Sequence, residues 1–160
     1  MSKTLIAYFS AGGVTAGIAA ELAKAESADL FEIVPKVKYT AADLDWRDKQ
    51  SRSTLEMSDP DCRPETRGKV ENMSLYDVVF VGFPIWWGRE PSVVDTFLSE
   101  NDFKGKKIIP FCTSGGSGIG RTADRIRSIV GEGVEVDEGR RIGGDISESD
   151  LKLWMEGLRK

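Results

Sequence analysis

Histidine is absent from all 160 residues of the chain. That excludes any mechanism built on imidazole: a Ser-His triad, a histidine proton shuttle and most zinc catalysis. Cysteine is scarce. Cys62 and Cys112 form neither a C-x-x-C pair nor a metal-ligand spacing, which points to a reducing compartment, the cytoplasm. No apolar run approaches the ~20 residues of a membrane span. The apolar opening of MSKTLIAYFS stops at Ser10 and the glycines, too early for a signal-peptide core. Basic residues are in the minority, with 22 Lys and Arg against 26 Asp and Glu. The net charge of −4 argues against a nucleic-acid partner. What is present, 40% apolar and 30% charged residues, describes a soluble globular chain with a full core.

Four short apolar runs read as buried strands: Lys3–Phe9, Asp29–Val34, Asp77–Phe83 and Lys107–Thr113, with Gly133–Val136 a weaker fifth. Helical patterns separate them. Val14 to Ala25 sets Ile18 and Leu22 among alanines. Pro91 to Leu98 opens on a proline at an early helix position and lines Val93, Val94, Phe97 and Leu98 along one side. Arg121 to Val130 carries Ala123, Ile126, Ile129 and Val130. Ser147 to Lys160 opens on a candidate serine cap and an acidic first turn and ends on Arg159 and Lys160. Strands alternating with helices predict one α/β domain over 1–160. It has three layers, with a doubly wound five-stranded parallel sheet in the order 2-1-3-4-5. The exception to the rhythm is the segment 35–73 between strands two and three. A short helix from Ser51 to Met57, stopped by Pro60, is expected within it, and Tyr39 and Trp46 argue that it is ordered. Its acidic residues Asp43, Asp45, Asp48, Glu56, Asp59 and Asp61 read as a solvated loop.

Ligands of an open parallel sheet bind at the carboxyl ends of its strands, so the residues just after each strand carry the information. SAGGVT (10–15) offers two hydroxyls, two glycines and the free N–H groups of a helix start, an anion site suited to a phosphate. It is neither a Walker loop nor G-x-G-x-x-G. FPIWWG (83–88) puts two indoles where a strand hands over to a loop, a flat apolar wall with N–H donors. TSGGSGIG (113–120) exposes many backbone N–H groups. Each stretch alone is also compatible with a plain turn, aromatic filler or a surface loop. The predicted strand order gathers all three, and together they describe a phosphate-bearing planar heterocycle, FMN.

The combined YFSAGGVT, GFPIWWGREP and FCTSGGSGIG resemble the flavodoxin-like family, in particular short bacterial flavodoxins and NAD(P)H-dependent FMN oxidoreductases. The resemblance covers essentially the whole chain. It implies that Ser10, Gly12, Gly13, Val14 and Thr15 hold the FMN phosphate and that Pro84, Ile85, Trp86, Trp87 and Gly88 face the isoalloxazine. Thr113, Ser114, Gly115, Gly116, Ser117 and Gly120 would line the other ring edge and the ribityl chain. The phosphate loop departs from the family's Thr-x-Thr-Gly-Asn-Thr pattern. Ala11 lacks a hydroxyl and Val14 replaces Asn, changes worth about 1 kcal/mol per lost hydrogen bond.

Two functions follow from the resemblance. One is an electron carrier between redox partner proteins. The other is an enzyme that takes hydride from NAD(P)H and reduces a small acceptor such as a quinone, with Trp46 over the open flavin face and Arg89 meeting an anionic substrate. A flavin-free module on the same scaffold is the third reading. No catalytic side chain and no metal site are assigned, because the cofactor carries the chemistry. Cys112 reads as an inert core thiol. Gly88 is expected to let its peptide turn toward the reduced ring. Gly88→Ala should therefore shift the flavin reduction potentials, measured by anaerobic redox titration, and unchanged potentials would contradict this role.

Overall fold

The computed structural model describes residues 3–11, 13–59, 61–86, 89–113, 119, 122–142 and 147–158. Strands β1 (Lys3–Tyr8), β2 (Asp29–Glu32), β3 (Tyr76–Pro84) and β4 (Lys107–Thr113) pair in parallel in the order β2-β1-β3-β4. Beside β4 lie two short strands, β5 (Glu135–Val136) and β6 (Arg140–Arg141), both parallel to it. The helices are α1 (Val14–Glu26), α2 (Arg52–Met57), α3 (Ser92–Glu100), α4 (Thr122–Val130) and α5 (Glu148–Leu158). This is the expected order 2-1-3-4-5, with a sixth strand added.

Period-two alternation divides the core. On β1, Leu5 and Ala7 face one side and Ile6 the other. On β3, Val79, Val81 and Phe83 oppose Phe80. The first set packs with Val93, Val94, Phe97 and Leu98 of α3 and with Ala123 and Ile126 of α4. The second packs with Ile18, Ala19 and Leu22 of α1 and with Leu151 and Met155 of α5. Helices therefore cover both faces, as right-handed crossovers require. The caps fit the sequence. Ser147 Oγ accepts the Asp150 N–H at 3.1 Å, and α1 ends at Ser27 in the left-handed region with the Ala28 N–H returning to the Ala23 carbonyl. Pro91 stands one position earlier than expected, at the N-cap of α3.

The fifth strand departs from expectation because it is split. Ile108 O accepts from the Asp137 N–H and Cys112 O from the Ile142 N–H, so residue 110 also faces this edge. That residue is Pro110, which has no N–H to offer. Pairing lapses there and resumes at Arg140 and Arg141, opposite Phe111 and Cys112. The proline inside strand four was the available signal for this break.

No helix among the described residues is long and apolar enough to cross a membrane, and no cluster among them has the make-up of a metal site.

Gly82 sits opposite Phe111 in the β3–β4 register. A Cβ placed on it would lie 2.2 Å from the Phe111 ring. The ring crosses β3 only because that position lacks a side chain. Gly82→Ala should destabilise the fold by about 1–3 kcal/mol through overpacking. A urea midpoint equal to wild type would contradict that packing.

Candidate functional site

The carboxyl ends of β1, β3 and β4 meet at Thr113. Its hydroxyl is 2.8 Å from the Thr15 hydroxyl, and both residues are buried. Its carbonyl accepts the Ile85 N–H at 3.0 Å. Pro84 lies opposite it in register and closes β3. Of the residues expected to hold a phosphate, Thr15 thus uses its hydroxyl to join the first loop to the third. Gly13 caps α1 with φ 93°, a left-handed conformation that suits glycine, and donates its N–H to Ser10 Oγ at 3.0 Å. Val14 is exposed. Gly12, Trp87, Gly88, Ser114, Gly115, Gly116, Ser117 and Gly120 lie outside the described residues.

Trp86 is half-buried and held from two directions. Its backbone exchanges both hydrogen bonds with Arg89, at 2.9 and 3.1 Å, an isolated antiparallel bridge. Its indole meets Phe9 and Tyr39 edge to face, with ring centroids 5.6 and 5.4 Å apart. Tyr39 brings the inserted segment against the wall. The Tyr39 hydroxyl donates to Glu56, and Glu56 pairs with Arg52 Nε at 2.9 Å. The Arg52 guanidinium lies 3.9 Å over the Tyr39 ring and donates to Val37 O at 2.7 Å. Burial, with the neighbouring Glu56 carboxylate, pushes the Tyr39 pKa well above its usual range.

The acidic residues of this segment are more than a solvated loop. Asp43, Asp45, Asp48 and Asp59 accept from the backbone N–H groups of Thr40, Arg47, Gln50 and Asp61, and these bonds build successive turns. Glu56 is only 12% exposed. The short helix is present as Arg52–Met57, with Ser51 as its cap. Between segment and wall opens a cleft of about 410 Å³, lined by Ala11, Leu44, Trp46, Ser53, Ile85 and Trp86. Trp46 is 68% exposed, while Ser53 is buried and its Oγ has no hydrogen-bond partner.

Arg89 does not offer a free cation to a substrate. Its side chain is 13% exposed and lies in a charge cluster that sequence reasoning missed. Glu90 and Asp95, both with no exposed surface, are bridged by Arg125, at 2.7 Å to Glu90 Oε1 and 3.1 Å to Asp95 Oδ2. Arg89 Nη1 is 3.4 Å from Asp95 Oδ2, and Arg63 Nη1 is 3.9 Å from the same oxygen. The other Arg89 nitrogen, Nη2, donates to Met57 O at 3.1 Å, and Ser92 Oγ donates to Glu56 O at 3.2 Å. The Trp86–Arg89 bridge is thereby tied to the end of α2. An ionisable Asp95 inside the apolar α3 gave no periodic signal of its own. Its i, i+5 spacing from Glu90 and the arginines at 89 and 125 were the only hints.

Glu90 Oε2 and Asp95 Oδ1 find no donor. A proton held between the two carboxylates would supply one. Burial, and then the hydrogen bond and charge of Glu90, raise the Asp95 pKa to about 8. Cys112, fully buried, is pushed up to about 11 and is inert. Burial raises Cys62 as well, which argues against a reactive thiol. An unfolded Asp95 has lost its proton by about pH 5, whereas the folded chain holds it to about pH 8. Unfolding in that window releases a proton, so stability falls as pH rises from 5 to 8, by on the order of 1 kcal/mol per unit. Asp95→Asn should flatten this slope in urea titrations at successive pH values, and an unchanged slope would contradict the shared proton.

Comparison with known proteins fits this arrangement. A sequence model described as Flavodoxin matches residues 3–158. A provisionally assigned flavoprotein from Bacteroides eggerthii is 43% identical, with TM-score 0.93 over 100% of this chain and 99% of that one. A second, from Bacteroides uniformis, is 43% identical, with TM-score 0.91 over 97% and 98%. A flavoprotein from Lactobacillus acidophilus, solved in complex with FMN, shares the fold at 21% identity, with TM-score 0.72 over 97% and 99%. No curated protein matches. With the family's pattern running through all but the ends of the sequence, the chain belongs to the flavodoxin family.

Proposed function

We infer that the chain binds FMN in the cleft at the carboxyl ends of β1, β3 and β4 and transfers electrons through it. The observation that carries this reading is the knot at Thr113, which draws the anion-type loop and the aromatic wall to one edge. The residues fit the group. The start of α1 with Ser10 and Gly13 suits a phosphate. Ile85 and Trp86 form one side of a mostly apolar cleft wide enough for a ring system. The fold is shared with the Lactobacillus protein that was solved with FMN.

Bound FMN would accept and release one or two electrons. The chain's part is to bind, orient and shield. Ile85 and Trp86 would fix the ring plane through the Thr113 bond and the Arg89 bridge. The loop after β1 would hold the phosphate. No described side chain is needed as an acid or base.

A second reading, hydride transfer from NAD(P)H to a small planar acceptor such as a quinone, is favoured by the inserted segment. Leu44, Trp46 and Ser53 narrow the approach to the cleft. Arg89 does not support this reading through an anionic substrate, since its charge is taken by Asp95 and Glu90.

Titration with FMN should give one flavin per chain with quenched fluorescence, and saturation at a hundredfold excess over Kd should add about 2.7 kcal/mol of stability. Reduction by dithionite or a reductase protein, with NADH and NADPH inert in the absence of air, supports the carrier. Bleaching within seconds by either nicotinamide supports the enzyme. Failure to bind FMN would overturn both.

A further inference from the structure

Glu90 and Asp95 are buried without exposed surface, yet each has one oxygen left without a donor. Arg125 serves Glu90 Oε1 and Asp95 Oδ2, and Arg89 Nη1 lies 3.4 Å from that same Asp95 oxygen. Glu90 Oε2 and Asp95 Oδ1 are the unpaired atoms. The two carboxyl groups are within hydrogen-bonding reach of each other. Two carboxyl groups so close, and closed to water, are stable together only with a proton between them. The arrangement is therefore that of a pair holding one proton.

The charged and titratable groups around the pair come from three directions. Arg89 precedes it in the chain, Arg125 stands on α4, and Arg63 of the inserted segment is 3.9 Å from Asp95 Oδ2. Cys62 interacts electrostatically with Arg63 and Arg89, and with Glu56 and Asp59. Asp95 is fixed on α3, whereas Glu90 sits in the link between the Trp86–Arg89 bridge and that helix. Arg89 joins the two ends of the site. Its Nη1 donates to Glu90 O at 3.1 Å and lies beside both carboxyl groups. Its backbone bridges Trp86, and its Nη2 donates to Met57 O at the end of α2. The spacing of Glu90 and Asp95 is thus felt by the aromatic wall and by the inserted segment together.

We propose that the Glu90–Asp95 pair is a proton-controlled positioning element of the flavin site, acting through Arg89 on Trp86 and on α2. With one proton shared, the carboxyl groups sit together and Arg89 holds both walls of the cleft. When that proton leaves to solvent, two like charges remain side by side, and the second has no donor of its own. They separate. Glu90, the member outside a helix, shifts and carries Arg89 and the Trp86 bridge with it, so ring binding weakens. Burial and the neighbouring Glu90 place this transition near pH 8. The weakening of binding rests on the reading of the cleft as the flavin site; the movement itself needs no flavin.

The test follows binding and movement separately. Lumiflavin, which has the ring without the ribityl phosphate, and FMN are titrated by flavin fluorescence against wild type, Asp95→Asn and Glu90→Gln over a pH series from about 6 to 9. The lumiflavin series is free of the phosphate's own titration. Wild-type affinity for lumiflavin should be level to about pH 7 and roughly tenfold weaker at about pH 9, as the binding-competent fraction declines. Asp95→Asn and Glu90→Gln each remove one titrating member and should flatten that profile, so either variant serves if the other fails to fold. A cluster that only stabilised the fold would move the urea midpoint with pH and leave the affinity of the folded protein level. Without ligand, the tryptophan emission of wild type should change over the same pH range. Asp95→Asn should abolish that change, and Trp86→Phe should remove most of it. A level lumiflavin profile in wild type, or an unchanged slope in the folded variants, overturns the proposal. If wild type binds neither flavin, the functional reading falls; the ligand-free emission then decides the proton-controlled link by itself, and a constant emission overturns it.

Discussion

Everything at the functional edge depends on how Thr113 ends its strand. Its carbonyl takes the Ile85 N–H and its hydroxyl meets Thr15, so one residue of β4 holds the loop after β3 and the start of α1. Parallel pairing brings the three strand ends side by side, and these two bonds decide how closely the loops approach. Both hydroxyls are buried, which makes the link strong in context, since breaking it leaves a polar group without water.

A second constraint acts from below the wall. Burying Glu90 and Asp95 without exposed surface is costly even with guanidiniums beside them, and ion pairs of this kind rarely add net stability. Their effect is positional. Arg89 belongs to the bridge with Trp86 and to the charge cluster, and it reaches the last carbonyl of α2. The wall and the inserted segment are therefore tied to each other, and these contacts set the spacing across the cleft. Replacing the pair with apolar residues could leave the fold intact and still loosen that coupling.

Much of this was legible in the sequence. The apolar runs of β1, β3 and β4 are buried on both faces and carry no competing pattern, so their position and order could be read directly. The loops after them stood out because glycines, hydroxyls and indoles fell where strands end. The inserted segment was legible only in outline. Its order comes from Asp side chains closing turns on nearby N–H groups and from Tyr39 packing on Trp86, contacts that periodicity does not encode. The Glu90–Asp95 cluster was hidden for a related reason. A charge on a helix face reads as solvated unless its partners, distant in sequence, are known. Pro110 did mark the break in the fifth strand, but only the pairing direction of β4 turns that proline into a prediction.

The central claim is that the edge knotted by Thr113 is a flavin site walled by Ile85 and Trp86 and roofed by the inserted segment. A crystal structure of the protein grown with FMN tests it most directly. The account predicts the ring against Ile85 and Trp86, beneath Trp46, with the phosphate at the start of α1. Flavin found elsewhere, for instance in the hollow lined by Phe31, Arg67 and Glu71, or absent at saturating concentration, would contradict it.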